Sequence, residues 1–181
     1  MNIGIFTDAY YPQVSGVVTS TMILRNELIR LGHRVTIITV THPDVEEQEG
    51  IIRLPSLPFF LLPSQRVGII YSHKIMNKIK KLDLDIIHTQ TEFSIGIFGR
   101  IVAKRLDIPV VHTYHTMYED YIHYVSSGIM LKPASQFAKK VSKLYCRDCS
   151  AIIVPTQKVK DALQQYGLRR HIDVKIGRAH V

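Results

Sequence analysis

The feature that most constrains this chain is an alternation. Short runs of β-branched apolar residues, such as IGIFT at 3–7, RVTIITVT at 34–41 and DIIHTQ at 85–90, are separated by longer amphipathic stretches. Strands apolar along most of their length are those buried on both faces, and the helices between them supply the cover, so the alternation predicts strand–helix–strand units around a parallel sheet. The expected fold class is α/β, a doubly wound, Rossmann-like parallel sheet. Strands are expected at 3–7, 34–41, 51–54, 85–90, 110–114 and 151–154, with another beginning at 171–175. Helices are expected at 17–31, 65–82, 95–106, 134–145 and 158–166. In the first helix Val18, Met22, Leu24, Leu28 and Leu31 recur near helical spacing, and Gly32 supplies the stop. The stretch 55–63 carries three prolines and reads as a loop.

With 181 residues the chain has room for one sizeable domain, one per roughly 150 residues being usual. No segment approaches the roughly 20 apolar residues of a membrane-spanning helix. The chain starts directly as MNIGIFTDAYYP, without the pattern of a signal peptide, which leads us to expect a cytoplasmic protein. Lys and Arg total 23 against 15 Asp and Glu, a net charge of +8 that favours anionic partners: nucleotides, phospholipid headgroups or nucleic acid. The two cysteines, Cys146 and Cys149, cannot form a disulfide framework. Their CxxC pair follows a helical stretch instead of opening one and lacks two further zinc ligands, so they read as inert thiols.

In an open parallel sheet, ligands bind outside the carboxyl ends of the strands, where loops and helix N-termini present backbone donors. The unusual residues gather at those positions. After the first strand comes DAYYPQVSG, running from Asp8 to Gly16, where a missing side chain lets a phosphate approach backbone N–H groups. Alternatively, Ser15 and Gly16 form only an ordinary helix start. No GxGxxG stands here, which argues against a nicotinamide dehydrogenase. After the fourth strand, HTQTEFS places Glu92 at a helix entry, lining a cleft or supporting that helix. After the fifth comes HTYHTMYED. Strand alternation puts His112 and Tyr114 on one face and Thr113 and His115 on the other; His115, nearer the strand end, is the better site candidate, the alternative being a satisfied structural histidine. After the sixth strand Thr156 adds a hydroxyl.

Two basic stretches bear on location. Wound as a helix, 65–82 places Arg66, Lys74, Lys78, Lys80 and Lys81 on one arc and Ile69, Tyr71, Ile75, Met76, Ile79 and Leu82 opposite, beside the apolar LPFFLLP. Such a face suits anionic lipid, or is an ordinary surface with solvated lysines. The second stretch, 132–147, carries Lys132, Lys139, Lys140, Lys143 and Arg147. No nucleic-acid motif accompanies either, so nucleic acid is not an expected partner; an RNA-binding α/β protein remains a competing class, distinguished by salt-sensitive oligonucleotide binding.

FTDAYYPQVSGVVTS, IIHTQTEFSIG and VVHTYHTMYEDY together resemble the N-terminal domain of retaining glycosyltransferases of the two-Rossmann-domain (GT-B) architecture, glycosyltransferase family 4-like, and within it the bacterial 1,2-diacylglycerol 3-glucosyltransferases. The resemblance runs from Met1 to about Lys175. It implies a hexosyltransferase moving glucose from UDP-glucose, a substrate and not a cofactor, to diacylglycerol with retention, on the inner face of the cell membrane. It implies donor binding by Ser15, Gly16 and Thr156, a catalytic-centre role for His115 beside the transferred sugar, and cleft or acceptor roles for Asp8, Glu92 and Tyr118. Arg66, Lys74, Lys78 and Lys81 would face anionic membrane lipid. No metal site is legible in the residues. The resemblance also implies a C-terminal donor-binding domain, which the 181 residues do not contain, so this fragment alone is expected to be inactive. A strand expected at 171–175 has no helix after it, and the final IGRAHV resembles a translated sequencing adapter; 1–175 is the expected domain and 176–181 a non-native tail. The alternative is a stand-alone module that binds anionic membrane or nucleotide without catalysis.

Overall fold

The computed structural model describes residues 1–59, 62–69, 73–115 and 131–175. Packing divides the chain into two compact units, Met1–Val110 and Val111–Val181. In the first, β1 (Asn2–Phe6), β2 (Arg34–Val40), β3 (Ile51–Leu54) and β6 (Ile86–Thr89) form a parallel sheet in the order β3-β2-β1-β6. Their β-branched side chains are why they are strands, and Ile5, Phe6, Ile37, Ile38, Leu54 and Ile87 are fully buried. The helix α1 (Gly16–Arg30) covers one face, with Leu24 and Leu28 packed on Ile3, Ile5, Val35 and Ile37. Its buried stripe differs from expectation: Val18 and Thr21 are buried, whereas Met22 and Leu31 are exposed, because the Val18–Thr21–Leu28 line runs to one side of them. The stop is where the sequence puts it. Gly32, at φ 85°, donates to Ile29 O and His33 donates to Leu28 O, which closes a Schellman motif.

The helix α3 (Ser94–Leu106) lies very close to β1. A Cβ on Gly99 would come within 2.8 Å of the Phe6 ring, and the Phe6 and Phe98 rings sit 6.0 Å apart, so the absent side chain is what admits the contact.

Two expectations in this unit are overturned. The proline-rich stretch is no loop: β4 (Ser56–Phe59) and β5 (Leu62–Gly68) pair antiparallel, with a register shift between Pro58 and Phe59. A two-stranded ribbon exposes an edge on each strand, and proline is tolerated at edges and bulges, so a breaker in a helix or central strand is admissible here. The long basic helix 65–82 shrinks to α2 (His73–Lys80), because Arg66 and Val67 are already committed to β5. In α2 Met76 and Ile79 are buried.

The second unit carries β7 (Val110–Thr113), β8 (Ala151–Val154) and β9 (His171–Val174), parallel in that order, with α4 (Leu131–Cys146) and α5 (Gln157–Gln165). The strand expected from 171 is therefore present. Cys146 and Cys149 are buried thiols that form no disulfide. Residues 176–181 and Tyr118 lie outside the described residues, as does part of LPFFLLP. Among the described residues no helix is long and apolar enough to cross a membrane.

Candidate functional site

In the first unit the chain moves from β1 outward to β2 and β3, then returns to the other flank of β1 with β6. This reversal is a topological switch point, and the crevice beyond the carboxyl ends of β1 and β6 is where an open α/β sheet binds ligands. The loops that leave those two strands carry Asp8, Ser15 and Gly16 on one side and Thr91 and Glu92 on the other.

Asp8 does not face that crevice as an acceptor residue. It is buried, and its carboxylate accepts from Thr91 Oγ1 at 2.6 Å, Ser94 Oγ at 2.5 Å and the backbone N–H groups of Ile95 at 2.9 Å and Gly96 at 3.4 Å. A carboxylate offers about four lone-pair sites, so these donors saturate it and leave none for a substrate hydroxyl. The reason lies in α3: its N-cap residue, Phe93, makes no side-chain cap, and its first turn contains no acidic residue. Orphan N–H groups at a helix start need an acceptor, and Asp8 reaches across from the β1 loop to supply one. The Asp8 N–H in turn donates to Thr91 Oγ1 at 2.9 Å, and Gly68 N–H donates to Ser94 Oγ at 2.8 Å, so the hairpin is tied into the same network. Glu92 is half-buried and takes no place in that first turn.

The start of α1 is the opposite case. Ser15 accepts from Val18 N–H at 3.3 Å, and Thr19 N–H donates to Ser15 O, which leaves the N–H groups of Gly16 and Val17 without intrahelical acceptors. Gly16 is exposed, and a Cβ placed on it would meet nothing within 4 Å. Packing therefore gives no reason for a glycine here, and the open space in front of it is reached by two backbone donors at the positive end of a 15-residue helix. Both readings of Ser15–Gly16 hold together: a capped helix start that still presents two donors. Arg53, which sequence reasoning passed over, steadies the approach loop. It donates to Tyr11 O at 2.9 Å and Val40 O at 3.0 Å, and burial lowers its pKa from the usual arginine value. A lone arginine in the apolar strand IIRL was the signal that could have found it.

In the second unit, His112 is fully buried with its ring centroid 4.7 Å from that of Tyr145, and Tyr114 is buried with its hydroxyl 2.8 Å from Ser142 Oγ. They form the inward face, as alternation predicts. His115 follows on the other parity, half-buried, one residue past the point where Tyr114 N–H donates to Ile153 O. Thr156, three residues beyond Ile153, is exposed and caps α5 by accepting from Val159 N–H at 3.3 Å. Thus His115 and Thr156 leave the carboxyl ends of neighbouring strands, with the Thr156 oxygen already occupied in part as a cap.

The basic face divides. Lys74, Lys78 and Lys81 are exposed and share a side at spacings of four and three, opposite buried Met76 and Ile79. Arg66 is not among them: on β5, half-buried, its Nε donates to Ser56 Oγ at 2.8 Å and its guanidinium to Ser56 O at 2.9 Å. No group of three or more His, Cys, Asp or Glu able to hold a metal ion occurs among the described residues.

Comparison with known proteins places this arrangement. The alpha-monoglucosyldiacylglycerol synthase of Streptococcus pneumoniae R6 is 45% identical over 171 residues, covering 93% of this chain and 38% of that protein. The enzyme of the same name from Acholeplasma laidlawii is 40% identical, covering 90% of this chain and 42% of its own length. The chain thus spans about two-fifths of these relatives. Among solved structures, sucrose-phosphate synthase from Thermosynechococcus elongatus superimposes with a TM-score of 0.59 at 16% identity, over 95% of this chain and 47% of that one, a likeness of fold that bears out the Rossmann-like α/β class. The profile of Glycosyltransferase Family 4 matches residues 14–174, so it takes in the Ser15–Gly16 helix start, the α3 entry, His115 and Thr156. With that match spanning nearly the whole chain, the protein belongs to Glycosyltransferase Family 4.

Proposed function

We propose that this chain is the acceptor-side portion of a retaining hexosyltransferase that moves glucose from UDP-glucose to diacylglycerol at the inner face of the cell membrane. The observation that carries the reading is the 45% identity to a monoglucosyldiacylglycerol synthase across 93% of the chain. The open helix start at Gly16 supplies its chemistry. As the glycosidic bond to the leaving diphosphate breaks, negative charge grows on phosphate oxygen. Two N–H donors already fixed at the positive end of α1 stabilise that charge without reorganising. His115 hydrogen-bonds the transferred sugar, Thr156 and Glu92 line the approach, and Lys74, Lys78 and Lys81 hold the protein on anionic lipid. The chain spans about two-fifths of its relatives' length, and on this reading a second, donor-side domain would supply most of the grip on the donor.

The experiment is a donor and acceptor screen on the whole protein that contains this chain. Glucosyl-diacylglycerol formed from UDP-glucose supports the reading. Transfer only to a water-soluble acceptor would remove the lipid from it.

A further inference from the structure

On the second unit, Lys139, Lys140 and Lys143 of α4, with Gln165 and Tyr166 at the end of α5, line an open concavity of about 390 Å³. The three lysines are exposed and share the rim of that concavity, so its lining carries charge of one sign. Two of them are positioned by fixed neighbours. The Lys139 Nζ stands over the Tyr166 ring, 5.3 Å from its centroid. The Lys143 Nζ lies 3.1 Å from where a Cβ on Gly167 would be, beside the carbonyl end of α5, whose partial negative charge favours a cation. Gly167 has φ 85° and its N–H donates to Gln164 O, so this close approach is built on a glycine the helix end already requires. Among the described residues Lys140 and Lys143 enter no ion pair. The nearby carboxylate on α5, Asp161, accepts from Gln157 Nε2 at 2.7 Å and is not part of the lining.

We propose that this concavity is a binding site for a phosphate-bearing anion of headgroup size. Among the described residues its lining offers three ammonium groups, an amide and a phenol and no carboxylate, which matches an acceptor-rich dianion and not a neutral sugar. Its volume falls toward the lower end of the roughly 300–1,000 Å³ of small-molecule sites, enough for a phosphate with a small organic substituent. The proposal stands independently of the transfer reaction, since the described lining residues lie on α4 and at the end of α5. The shared chemistry is the phosphate; it can come from a phospholipid headgroup or from a soluble phosphate compound.

The test compares this chain with the Lys140→Gln, Lys143→Gln double variant and with Lys104→Gln, Arg105→Gln, an exposed pair on α3, as a charge-matched control. Calorimetry with inorganic pyrophosphate and flotation with phosphatidylglycerol-containing or pure phosphatidylcholine vesicles separate the two sources. Pyrophosphate affinity is expected to fall about tenfold in the α4 variant and to change less than about twofold in the control, the difference between losing a built site and losing net charge. If pyrophosphate does not bind but phosphatidylglycerol vesicles do, and the α4 variant loses more of that binding than the control, the site stands with the lipid headgroup as its ligand. Equal losses in the two variants, or no binding of either probe, overturns it. Because Lys143 also neighbours the end of α5, Lys140→Gln alone serves as the second variant, with thermal melting to show that it is folded.

Discussion

The backbone N–H of Ile95 donates at 2.9 Å to the carboxylate of Asp8, 87 residues earlier in the chain. This bond joins the loop after β1 to the first turn of α3, and it makes a carboxylate at the carboxyl edge of the sheet into part of the scaffold. The α3 start, left uncapped by Phe93, depends on it.

Replacing Asp8 by Ala should therefore lower stability by about 2–4 kcal/mol, because several buried donors lose their acceptor at once. Urea unfolding of the purified chain measures it, and a loss below about 0.5 kcal/mol would show that water replaces the carboxylate without cost. Ser94→Ala, which removes one donor to Asp8 and the acceptor of Gly68 N–H, should lose about 1–2 kcal/mol.

Two glycines should behave in opposite ways. Gly99→Ala drives a methyl group to within 2.8 Å of Phe6 and should destabilise the fold by about 1–3 kcal/mol. Gly16→Ala places the same group in open space and should leave the melting temperature unchanged or slightly raised. A matching loss at both positions would mean that Gly16 is there for packing.

The histidines separate in the same manner. His112→Ala empties a fully buried position against Tyr145 and should cost about 2–4 kcal/mol of stability. His115→Ala should melt near wild type, while in the whole protein its turnover falls strongly; near-wild-type turnover would take His115 out of the mechanism.

Neutralising Lys74, Lys78 and Lys81 should weaken binding to anionic vesicles by about 1 kcal/mol per charge, roughly a hundredfold for the three. Adding Arg66→Gln should not continue that series, since Arg66 is tied to Ser56 and its loss should appear in stability instead. Vesicle co-sedimentation across a salt series reads both, and unchanged binding in the lysine variant would leave α2 an ordinary surface helix.

The parallel strands were legible because their β-branched runs admit few alternatives, and 151–154 matches β8 residue for residue. Gly32 as a stop and the inward parity of His112 and Tyr114 follow from equally local rules. What escaped was non-local. Proline in 55–63 signalled a breaker, but the β4–β5 ribbon leaves proline an edge to occupy, and that turns on a partner strand and not on the segment itself. The basic arc of 65–82 followed from charge spacing alone, which cannot tell that Arg66 pairs across a hairpin. Asp8 read as a cleft residue because a carboxylate beyond a strand end is where chemistry sits; its true partner, an α3 start without a local cap, was visible only as the unsuitable Phe93 before Ser94.

The central claim, that the bare start of α1 receives the diphosphate of a nucleotide sugar, is tested most directly by initial rates of glucose transfer from UDP-glucose to diacylglycerol by the whole protein carrying Gly16→Val. The account predicts a folded variant whose kcat/KM for UDP-glucose falls at least about a hundredfold, the loss typical of removing access to fixed charge-stabilising donors. A Gly16→Val protein that transfers at the wild-type rate would contradict it.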